Sequence, residues 1–256
     1  MMTDVSSGVR SLLRSSLKRY LRLYHRHEIQ VDAEVPEPAL IVSNHGFGGI
    51  LDLNALAMFS VQRAAGMRRP ITALVHQIAW TLRAGKIAEA MGGRPASGET
   101  AKEAFAAGHN VLVFPGGDVD AAKAWRDRNR VRFHGRSGFA RLAMDHGVPI
   151  VPVVTAGAGE SLFVISDGVR IARALQLPRL LRVKALPTSA SIPWGINIGV
   201  VGLLPYVPLP TKLTTAVMAP MYPEPDESPA DFAARVEAAM QARLDALVHN
   251  RTPLLG

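Results

Sequence analysis

The amino-acid sequence predicts an α/β fold, with a mostly parallel sheet flanked by helices and a basic amphipathic helix at the N-terminal end. Short apolar runs bounded by turn signals alternate with longer amphipathic segments, which is the pattern of strand–helix–strand units. Apolar residues make up 48% of the 256 residues, enough for the core of one domain and too many for an intrinsically disordered chain. The third observation is a cluster of basic residues around an apolar periodicity near the start.

That N-terminal segment, Val9 to Tyr24, has apolar residues at helical spacing with Lys and Arg between them and no acidic residue. Such a helix can bind an anionic membrane surface, because its apolar stripe enters the interface and each basic residue adds about 1 kcal/mol. It can equally pack on the domain and leave its basic side in water. We assign residues 1–28 to a membrane-surface helix and residues 29–256 to the α/β domain, with packing on the domain as the alternative.

Five short apolar runs predict strands, and the segments between and after them predict helices. The predicted strands are Ala39 to Ser43, Ile71 to Val75, Asn110 to Phe114, Pro149 to Thr155 and Thr214 to Ala219. The predicted helices are Leu53 to Gln62, Gln77 to Met91, Glu99 to Ala107, Ser137 to His146 and Ser228 to Leu247. In the stretch from Arg179 to Lys212, five prolines prevent a continuous helix or a central strand. This stretch is either a loop that covers the core or an apolar lip near a lipid site.

The net charge and the absence of cysteine limit the functions that this sequence can have. Lys and Arg number 29 against 21 Asp and Glu, and the net charge of +8 suits nucleic acid, an anionic membrane surface or an acidic small molecule. The absence of cysteine excludes disulfides, Cys-ligated metal sites and a thiol nucleophile, and the eight histidines are too scattered to predict a metal site. No secretory signal and no apolar run of about 20 residues is present, so any membrane contact is expected on one face.

The first candidate site follows the strand that ends at Ser43. His45 comes directly after this strand, and six residues, several of them glycine, separate it from Asp52 at the start of the next helix. Functional groups collect where parallel strands end. A carboxylate that accepts from one imidazole nitrogen leaves the other nitrogen to act as a general base. The alternative is a structural histidine with Asp52 as a helix N-cap.

The second candidate site is the turn Pro115-Gly116-Gly117 after Phe114, with Asp120 close behind it. Two glycines allow close backbone approach and exposed amide donors, which suit a phosphate or a developing oxyanion. The same residues also form ordinary tight turns. Five arginines follow within a short stretch and form either a solvated face or part of an anionic site: Arg126, Arg128, Arg130, Arg132 and Arg136.

Five blocks in order resemble the glycerolipid and lysophospholipid acyltransferase superfamily, which includes the PlsC-like 1-acylglycerol-phosphate acyltransferases. The nearest match is its diacylglycerol-acyltransferase-like branch. The family's usual spacing between His and Asp is shorter, and its phospholipid enzymes carry Glu in place of Gly116, which favours a less standard acceptor than lysophosphatidate. The blocks are Ser43-Asn44-His45 with Asp52, Gly92 to Ser97, Phe114 to Gly117 with Asp120, Gly135 to Ala143, and Val148 to Val153.

The resemblance implies an O-acyltransferase of lipid metabolism that moves a fatty acyl group from an acyl thioester to a hydroxyl of a glycerolipid or lysophospholipid. His45 would be the general base, oriented by Asp52. Acyl-CoA or acyl carrier protein would be the co-substrate, with no further cofactor and no metal, and the arginines from Arg126 to Arg136 would form a rim for this acidic donor. The implied substrate-binding residues are Asn44, Arg94, Phe114, Pro115, Gly116, Gly117, Asp120 and Arg136.

The expected partners are the acyl donor, the lipid acceptor and an anionic membrane surface, but not nucleic acid, and the oligomeric state stays open. The expected location is the cytoplasmic face of a membrane, as a peripheral or monotopic protein. A non-catalytic lipid-binding protein on the same fold is the alternative. Spacing disfavours two other enzymes, because Leu51 stands where a dinucleotide fingerprint needs glycine, and the glycine after Ser137, Gly138, lies one residue too early for an esterase elbow.

Overall fold

The computed structural model describes residues 15–46, 52–77, 80, 85–177, 185–199 and 206–256. The strands in this part of the chain are β1 (Glu28–Val31), β2 (Leu40–Ser43), β3 (Ile71–Val75), β4 (Gly93–Pro95), β5 (Asn110–Val113), β6 (Ile150–Ala156), β7 (Phe163–Ser166), β8 (Thr188–Ser191), β9 (Gly195–Ile198) and β10 (Thr214–Val217). The α-helices are α1 (residues 15–24), α2 (Leu53–Ala64), α3 (Gly85–Ala90), α4 (Gly98–Ala106), α5 (Gly117–Ala121), α6 (Gly138–His146), α7 (Val169–Ala174) and α8 (Pro229–Val248).

The central sheet has seven strands in the order β1-β10-β6-β2-β5-β3-β4. Strands β6, β2, β5, β3 and β4 run parallel to one another, whereas β10 is antiparallel to β6 and carries β1 parallel to itself. Every residue of β2 and β6 is buried, as expected for parallel strands covered on both faces. The predicted α/β fold with a mostly parallel sheet is confirmed.

Apolar side chains leave both faces of this sheet and pack against helices. Leu40 and Val42 of β2 lie in the core cluster that includes residues of α4, α6 and α8. Ile41, between them, points to the opposite face and packs in the cluster that includes Met58 and Val61 of α2. This alternation follows from the two-residue period of a strand. It fixes the position of β2 in the middle of the molecule, flanked by β6 and β5.

The N-terminal helix α1 packs on the domain. Leu21 is fully buried in a cluster with Leu53, Leu56 and Leu213, and the Tyr24 hydroxyl donates to the carbonyl oxygen of Pro208 at 2.8 Å. Packing was one of the two interpretations of this segment, and a role at a membrane stays a prediction. Residues 1–14 of the predicted helix lie outside the described part. Across the described ranges, no helix is both long and apolar enough to cross a membrane.

The structure differs from the prediction in three places. The segment predicted as one helix from Gln77 to Met91 begins with a turn at Gln77, and its described helical part is residue 80 together with α3. The Pro-rich stretch contains β8 and β9, which form a separate antiparallel sheet with β7. The short edge strands β1 and β4 were not predicted, because strands of three or four residues carry too few alternating positions to stand out.

Candidate active site

His45 and Asp52 lie side by side beyond the carboxyl end of β2. Nδ1 of His45 is 2.7 Å from Oδ2 of Asp52, and the two side chains are only 17% and 10% exposed. Residues 47–51 between them, which carry most of the Gly-rich turn, lie outside the described part. The long spacing in the sequence therefore does not keep the two side chains apart.

Asp52 also caps helix α2. Its Oδ1 accepts hydrogen bonds from the backbone N–H groups of Asn54 at 2.9 Å and Ala55 at 3.4 Å, while Oδ2 faces the imidazole. The N-cap fixes the carboxylate at the start of a buried helix. Asp52 is therefore both the partner of His45, through Oδ2, and the N-cap of α2, through Oδ1.

Two further groups hold His45 in place. The ring of Phe114, which follows β5, stacks on the imidazole with 4.6 Å between ring centroids and an interplanar angle of 28°. The backbone N–H of His45 donates to Oδ2 of Asp120 at 3.1 Å. Since β2 and β5 are neighbouring parallel strands, their carboxyl ends bring these residues to one edge of the sheet.

Asp120 is buried behind His45 and forms an ion pair with a buried lysine. Its Oδ1 is 2.9 Å from Nζ of Lys123, which also donates to the carbonyl oxygen of Arg130 at 2.9 Å. Asp120 is 1% exposed and supports the histidine backbone, and its contact with substrate stays a prediction. Sequence reasoning missed Lys123, although its position three residues after Asp120 on a helical turn was a usable signal.

Asn44 is likewise buried and joins β2 to β6. Its Oδ1 accepts from the backbone N–H of Thr155 at 2.9 Å, and its Nδ2 donates to the Thr155 carbonyl oxygen at 3.2 Å. Asn54 of α2 donates to the Asn44 carbonyl oxygen at 2.5 Å. These contacts make Asn44 an anchor for the chain just before His45, and its contact with substrate stays a prediction. Thr155 and Asn54 carried no sequence signal, because Thr155 is 111 residues away and Asn54 reads as part of a helix.

The glycine turn brings α5 against the histidine. A Cβ on Gly116 would lie 2.3 Å from Cβ of Asp120, so only glycine lets Asp120 approach this closely. Gly117 has φ +57°, in the region that favours glycine, and its N–H donates to the Phe114 carbonyl oxygen at 3.2 Å. The Gly117 amide, which was expected to bind a substrate oxygen, is thus engaged inside the turn.

A family model described as Acyltransferase matches residues 25–156, which is 132 of the 256 residues and includes every site residue described so far. The chain belongs to the acyltransferase family. The predicted superfamily and enzyme class are thereby confirmed.

Relatives of this acyltransferase occur in bacteria and vertebrates. An uncharacterized protein of Mycobacterium tuberculosis (strain ATCC 25618 / H37Rv) is 30% identical over 220 residues, covering 84% of this chain and 56% of that protein. The Gallus gallus protein named DGAT1/2-independent enzyme synthesizing storage lipids is 26% identical over 241 residues, covering 93% of this chain and 65% of its own length. The acyltransferase thus spans less than two thirds of these relatives.

A solved structure shares the fold of the acyltransferase. The 1-acyl-sn-glycerophosphate (LPA) acyltransferase PlsC from Thermotoga maritima matches with a TM-score of 0.57 and 14% identity, over 96% of this chain and 83% of that one. This likeness shows the fold alone.

The remaining predicted site residues are Pro115, Arg136 and Arg94. Pro115 contributes its carbonyl oxygen, which accepts from Nη1 of Arg136 at 2.7 Å, so this arginine lies against the glycine turn. Arg94 is exposed on the edge strand β4, three strand spacings from β2, or about 14 Å. In this acyltransferase Arg136 therefore lies beside the turn that carries Phe114, whereas Arg94 lies at the far edge of the same sheet.

Tyr206 is a residue near the site to which sequence reasoning gave no role. Its side chain is buried, and its hydroxyl lies near Ser161. Burial raises the pKa of its hydroxyl well above the ordinary value, and the negative charge of Asp52 raises it further. Tyr206 therefore stays protonated near the pair of His45 and Asp52, which we call the dyad. It packs with Leu162 and Val164 on the buried side of the small sheet formed by β7, β8 and β9.

Proposed function

We propose that this acyltransferase moves a fatty acyl group from an acyl thioester to a hydroxyl of a glycerolipid or lysophospholipid, with His45 as general base and Asp52 as the group that orients it. The observation that carries the proposal is the 2.7 Å contact between His45 Nδ1 and Asp52 Oδ2 at the carboxyl ends of the parallel strands. A carboxylate that accepts from Nδ1–H selects the tautomer whose Nε2 is unprotonated.

In the proposed step, Nε2 of His45 takes the proton of the acceptor hydroxyl as the hydroxyl oxygen attacks the thioester carbonyl carbon. The tetrahedral intermediate then collapses, the carbon–sulfur bond breaks, and the imidazolium returns its proton to the leaving thiolate. Asp52 stabilises the imidazolium between these two transfers. No acyl-enzyme is needed, which agrees with a chain that has no cysteine.

Three arginines on the domain are candidates for binding anionic substrates. Arg136 beside the glycine turn and the exposed Arg94 on β4 are the candidates for binding a phosphate or a carbonyl oxygen, because guanidinium groups form strong charge-assisted hydrogen bonds. Arg126, with a side chain 83% exposed, is free to contribute to a rim for the acidic acyl donor. Acyl-CoA and acylated acyl carrier protein both present the acyl group as a thioester, and both are proposed donors.

The lipid acceptor is supported by the name of the Gallus gallus relative, which describes the synthesis of storage lipids. We also propose that the enzyme works as a peripheral protein on the cytoplasmic face of an anionic membrane. The net charge of +8 supports this location, because a basic protein concentrates at an anionic surface.

The test is incubation of the purified protein with labelled acyl-CoA, or acyl carrier protein, and a panel of hydroxyl lipids, with products identified by mass. His45→Ala is expected to lower the rate by a factor of about 100 to 10,000, the usual contribution of a general base. His249→Ala, which removes an exposed histidine at the end of α8, is the matched control and should keep the rate. Transfer to no hydroxyl lipid, or full activity of His45→Ala, would contradict the proposal.

A further inference from the structure

The small sheet formed by β7, β8 and β9 has a buried face and an exposed one. Val164, Ser189 and Asn197 point inward and are buried. The opposite face presents Phe163, Ile165, Ile196 and Ile198, all of them exposed, and the register places Phe163, Ala190 and Ile196 in one row across the three strands. In an antiparallel sheet that faces water, these outward positions are normally polar.

Further apolar side chains extend this face beyond the strands. Ile192, Trp194 and Val207 are exposed at its end, and Ile171 and Leu175 are exposed on and just after the adjacent helix α7. Nine of the fourteen large apolar side chains exposed in the described ranges belong to this region, so they form a patch and not a scatter. We call the seven residues of the sheet and its end the apolar face: Phe163, Ile165, Ile192, Trp194, Ile196, Ile198 and Val207.

Positively charged residues lie next to the apolar face. The Phe163 ring contacts Trp125 with 5.2 Å between centroids, and the Arg128 guanidinium lies 4.8 Å from the centre of the Trp125 ring. Helix α7, which begins three residues after the end of β7, exposes two further arginines. Among the described residues, the charges next to β7 and Trp125 are four arginines against two aspartates: Arg126, Arg128, Arg170 and Arg173, with Asp127 and Asp167. A positively charged border around an exposed tryptophan and isoleucines is the pattern of a surface that meets anionic lipid.

The described part of α1 does not offer a comparable surface. Its apolar stripe faces the domain, since Leu21 is fully buried and Leu17 and Tyr20 pack against the same cluster. Leu23 is exposed, and the other exposed positions from residue 15 to residue 26 are basic or serine. Helix α1 can therefore attract an anionic surface by charge, while the apolar contribution to binding lies in the small sheet.

On its buried side the small sheet packs on Tyr206, whose pKa is raised by burial and also by the charge of Asp52. The following residue, Val207, donates its N–H to the Ile192 carbonyl oxygen at 2.8 Å and belongs to the apolar face. A groove of about 230 Å³ opens beside Ile192, Ile196 and Val207 and reaches Leu162 behind the sheet.

We propose that the apolar face enters the headgroup and acyl-chain boundary of an anionic bilayer and so seats the active site on its lipid acceptor. The proposal rests on the proposed function for the identity of the acceptor, but the insertion itself is a separate property. Trp194 and the isoleucines supply the buried apolar area, and the bordering arginines supply attraction to lipid phosphates.

The test measures binding of the full chain to phosphatidylcholine vesicles that contain about one third phosphatidylglycerol, by co-sedimentation. The variant Ile196→Gln/Ile198→Gln removes two outward isoleucines without adding charge. We expect it to weaken binding about tenfold or more, because each isoleucine that enters the membrane contributes a large part of the free energy that corresponds to a tenfold change in affinity. Leu255→Gln, at a leucine that is 67% exposed near the C-terminus, is the matched control and should bind like the wild type. The Leu23→Gln variant of α1 should also bind nearly normally.

Three outcomes would overturn the proposal. The first two are wild-type protein that does not sediment with the vesicles, and equal binding by the double variant and the control. The third outcome is a dimer in solution that the double variant breaks without loss of vesicle binding, which would mean that the apolar face joins two copies of the chain. Activity on a detergent-dispersed acceptor should be unchanged in the double variant. A protein that binds vesicles in this way but transfers no acyl group would contradict only the proposed function.

A second measurement does not depend on the folding of the double variant. Tryptophan emission of the wild type should shift to the blue and be quenched when vesicles with brominated acyl chains are added, because Trp194 enters the apolar layer. In Trp194→Phe, Trp80 and Trp125 remain, and most of the shift and quenching should disappear. Equal quenching in the wild type and in Trp194→Phe would overturn the proposal.

Discussion

At the scale of single residues, the active site depends on the two oxygens of Asp52. Oδ2 meets the imidazole at 2.7 Å, and Oδ1 caps α2 at 2.9 Å. The cap fixes the carboxylate in the orientation that the imidazole needs, so a structural bond and a proposed catalytic one are shared by a single side chain. The two roles differ chemically, because any good hydrogen-bond acceptor can cap a helix, whereas only a carboxylate both selects the tautomer and stabilises the imidazolium.

We therefore expect Asp52→Asn and Asp52→Ala to separate the two roles. Asparagine caps helices about as well as aspartate, so the free energy of unfolding should change by less than about 0.5 kcal/mol. Its amide N–H₂ would face Nδ1 of His45, place the imidazole proton on Nε2 and lower the acyl-transfer rate by a factor of about 100 or more. Asp52→Ala should lose the same rate and also about 1 kcal/mol of stability. Urea unfolding and product formation measure the two quantities.

The control for this prediction is Ser228→Ala at the N-cap of α8. Ser228 accepts from the N–H of Asp231 at 3.2 Å, far along the chain from the dyad. It should lose about 1 kcal/mol of stability and none of the rate. If Asp52→Asn transferred acyl groups at the wild-type rate, Asp52 would be a helix cap and nothing more.

Residue roles were predictable where both partners belong to one local pattern. His45 and Asp52 could be paired from the sequence, because a strand end, a glycine-rich turn and a helix start lie within ten residues. The anchoring roles of Asn44 and Asp120 could not be predicted. Their partners are 111 and 75 residues away, and only the folded sheet brings Thr155 beside Asn44 and the His45 backbone beside Asp120. A buried polar side chain and one that binds substrate have the same letter in a sequence.

At the scale of elements, the five-residue helix α5 supports the end of β2. Gly116 lets the helix approach, Asp120 accepts from the His45 backbone, and Lys123 neutralises Asp120 in a pair that is almost fully buried. A buried charge left without its partner costs about 3 to 5 kcal/mol, whereas replacing both members by apolar residues is often nearly neutral. The pair can therefore be removed as a unit while its effect on His45 is measured.

We expect Asp120→Ala to destabilise the protein by about 3 to 5 kcal/mol, because it leaves Lys123 buried and unpaired. The double variant Asp120→Ala/Lys123→Met should regain most of this loss, since no charge is then buried. It should not regain the acyl-transfer rate, because the N–H of His45 has lost its acceptor. The measurements are the urea unfolding midpoint, kcat and KM for the three proteins.

The rate also distinguishes positioning from substrate binding by Asp120. A positioning residue should lower kcat with little change in KM, and a substrate-binding residue should mainly raise KM. Recovery of both stability and kcat in the double variant would show that Asp120 serves only to pair Lys123.

Among the elements, the strands with continuous apolar runs were the predictable ones. β2, β5 and β6 are almost fully buried parallel strands, β3 is a half-buried parallel strand, and the sequences of all four stand out against polar flanks. The small sheet was missed because β8 consists of Thr, Ser and Ala, and because the isoleucines of β9 face outward. Strands are recognised in a sequence on the expectation that apolar residues face inward, and β9 does not follow it. The Pro-rich stretch, predicted as a covering loop or an apolar lip, contains two strands of a sheet with one apolar exposed face.

At the scale of the whole molecule, buried polar contacts tie the two ends of the chain to the sheet. Near the C-terminus, Arg251 pairs with Glu160 at 2.9 Å, and the N–H of Leu254 donates to the same carboxylate at 2.7 Å. Burial alone would raise the pKa of Glu160, but these hydrogen bonds and the charge of Arg251 lower it below the ordinary value. Near the N-terminus, His25 binds the carbonyl oxygen of Thr211 at 3.0 Å.

A second set of contacts crosses the sheet from its edge to the active site. His27, just before β1, lies 2.9 Å from the Thr215 hydroxyl of β10, which lies 2.8 Å from the Thr155 hydroxyl of β6. The Thr155 backbone in turn holds Asn44, next to His45. Burial lowers the pKa of His27 from 6.5 to about 4, and the positive charge of His25 adds to this; burial also lowers the pKa of His25. In the folded protein these two histidines are therefore neutral at pH 7.

These lowered pKa values set the acid sensitivity of the fold. The unfolded chain binds protons at His25 and His27 below pH about 6.5, before the folded protein does, so acid favours unfolding. For His27 the loss continues down to pH about 4, at no more than about 1.4 kcal/mol for each pH unit, and stops when both states are protonated. Glu160 and Glu37, whose pKa values are also lowered, add their losses only below about pH 4.5. The interval from pH 7 to pH 5 therefore isolates the histidines.

Within that interval we expect the free energy of unfolding of the wild type to fall by at least about 2 kcal/mol, and we expect the fall in His27→Gln to be smaller by about 2 kcal/mol, the part that His27 contributes. Glutamine does not titrate and can still hydrogen-bond to the Thr215 hydroxyl, so the variant should be close to wild-type stability at pH 5 even if it is less stable at pH 7. Urea unfolding at the two pH values measures the difference. His249→Gln, which changes an exposed histidine, should keep the wild-type pH dependence. An unchanged slope in His27→Gln would mean that His27 is protonated in the folded protein and that its contact across the sheet survives the charge.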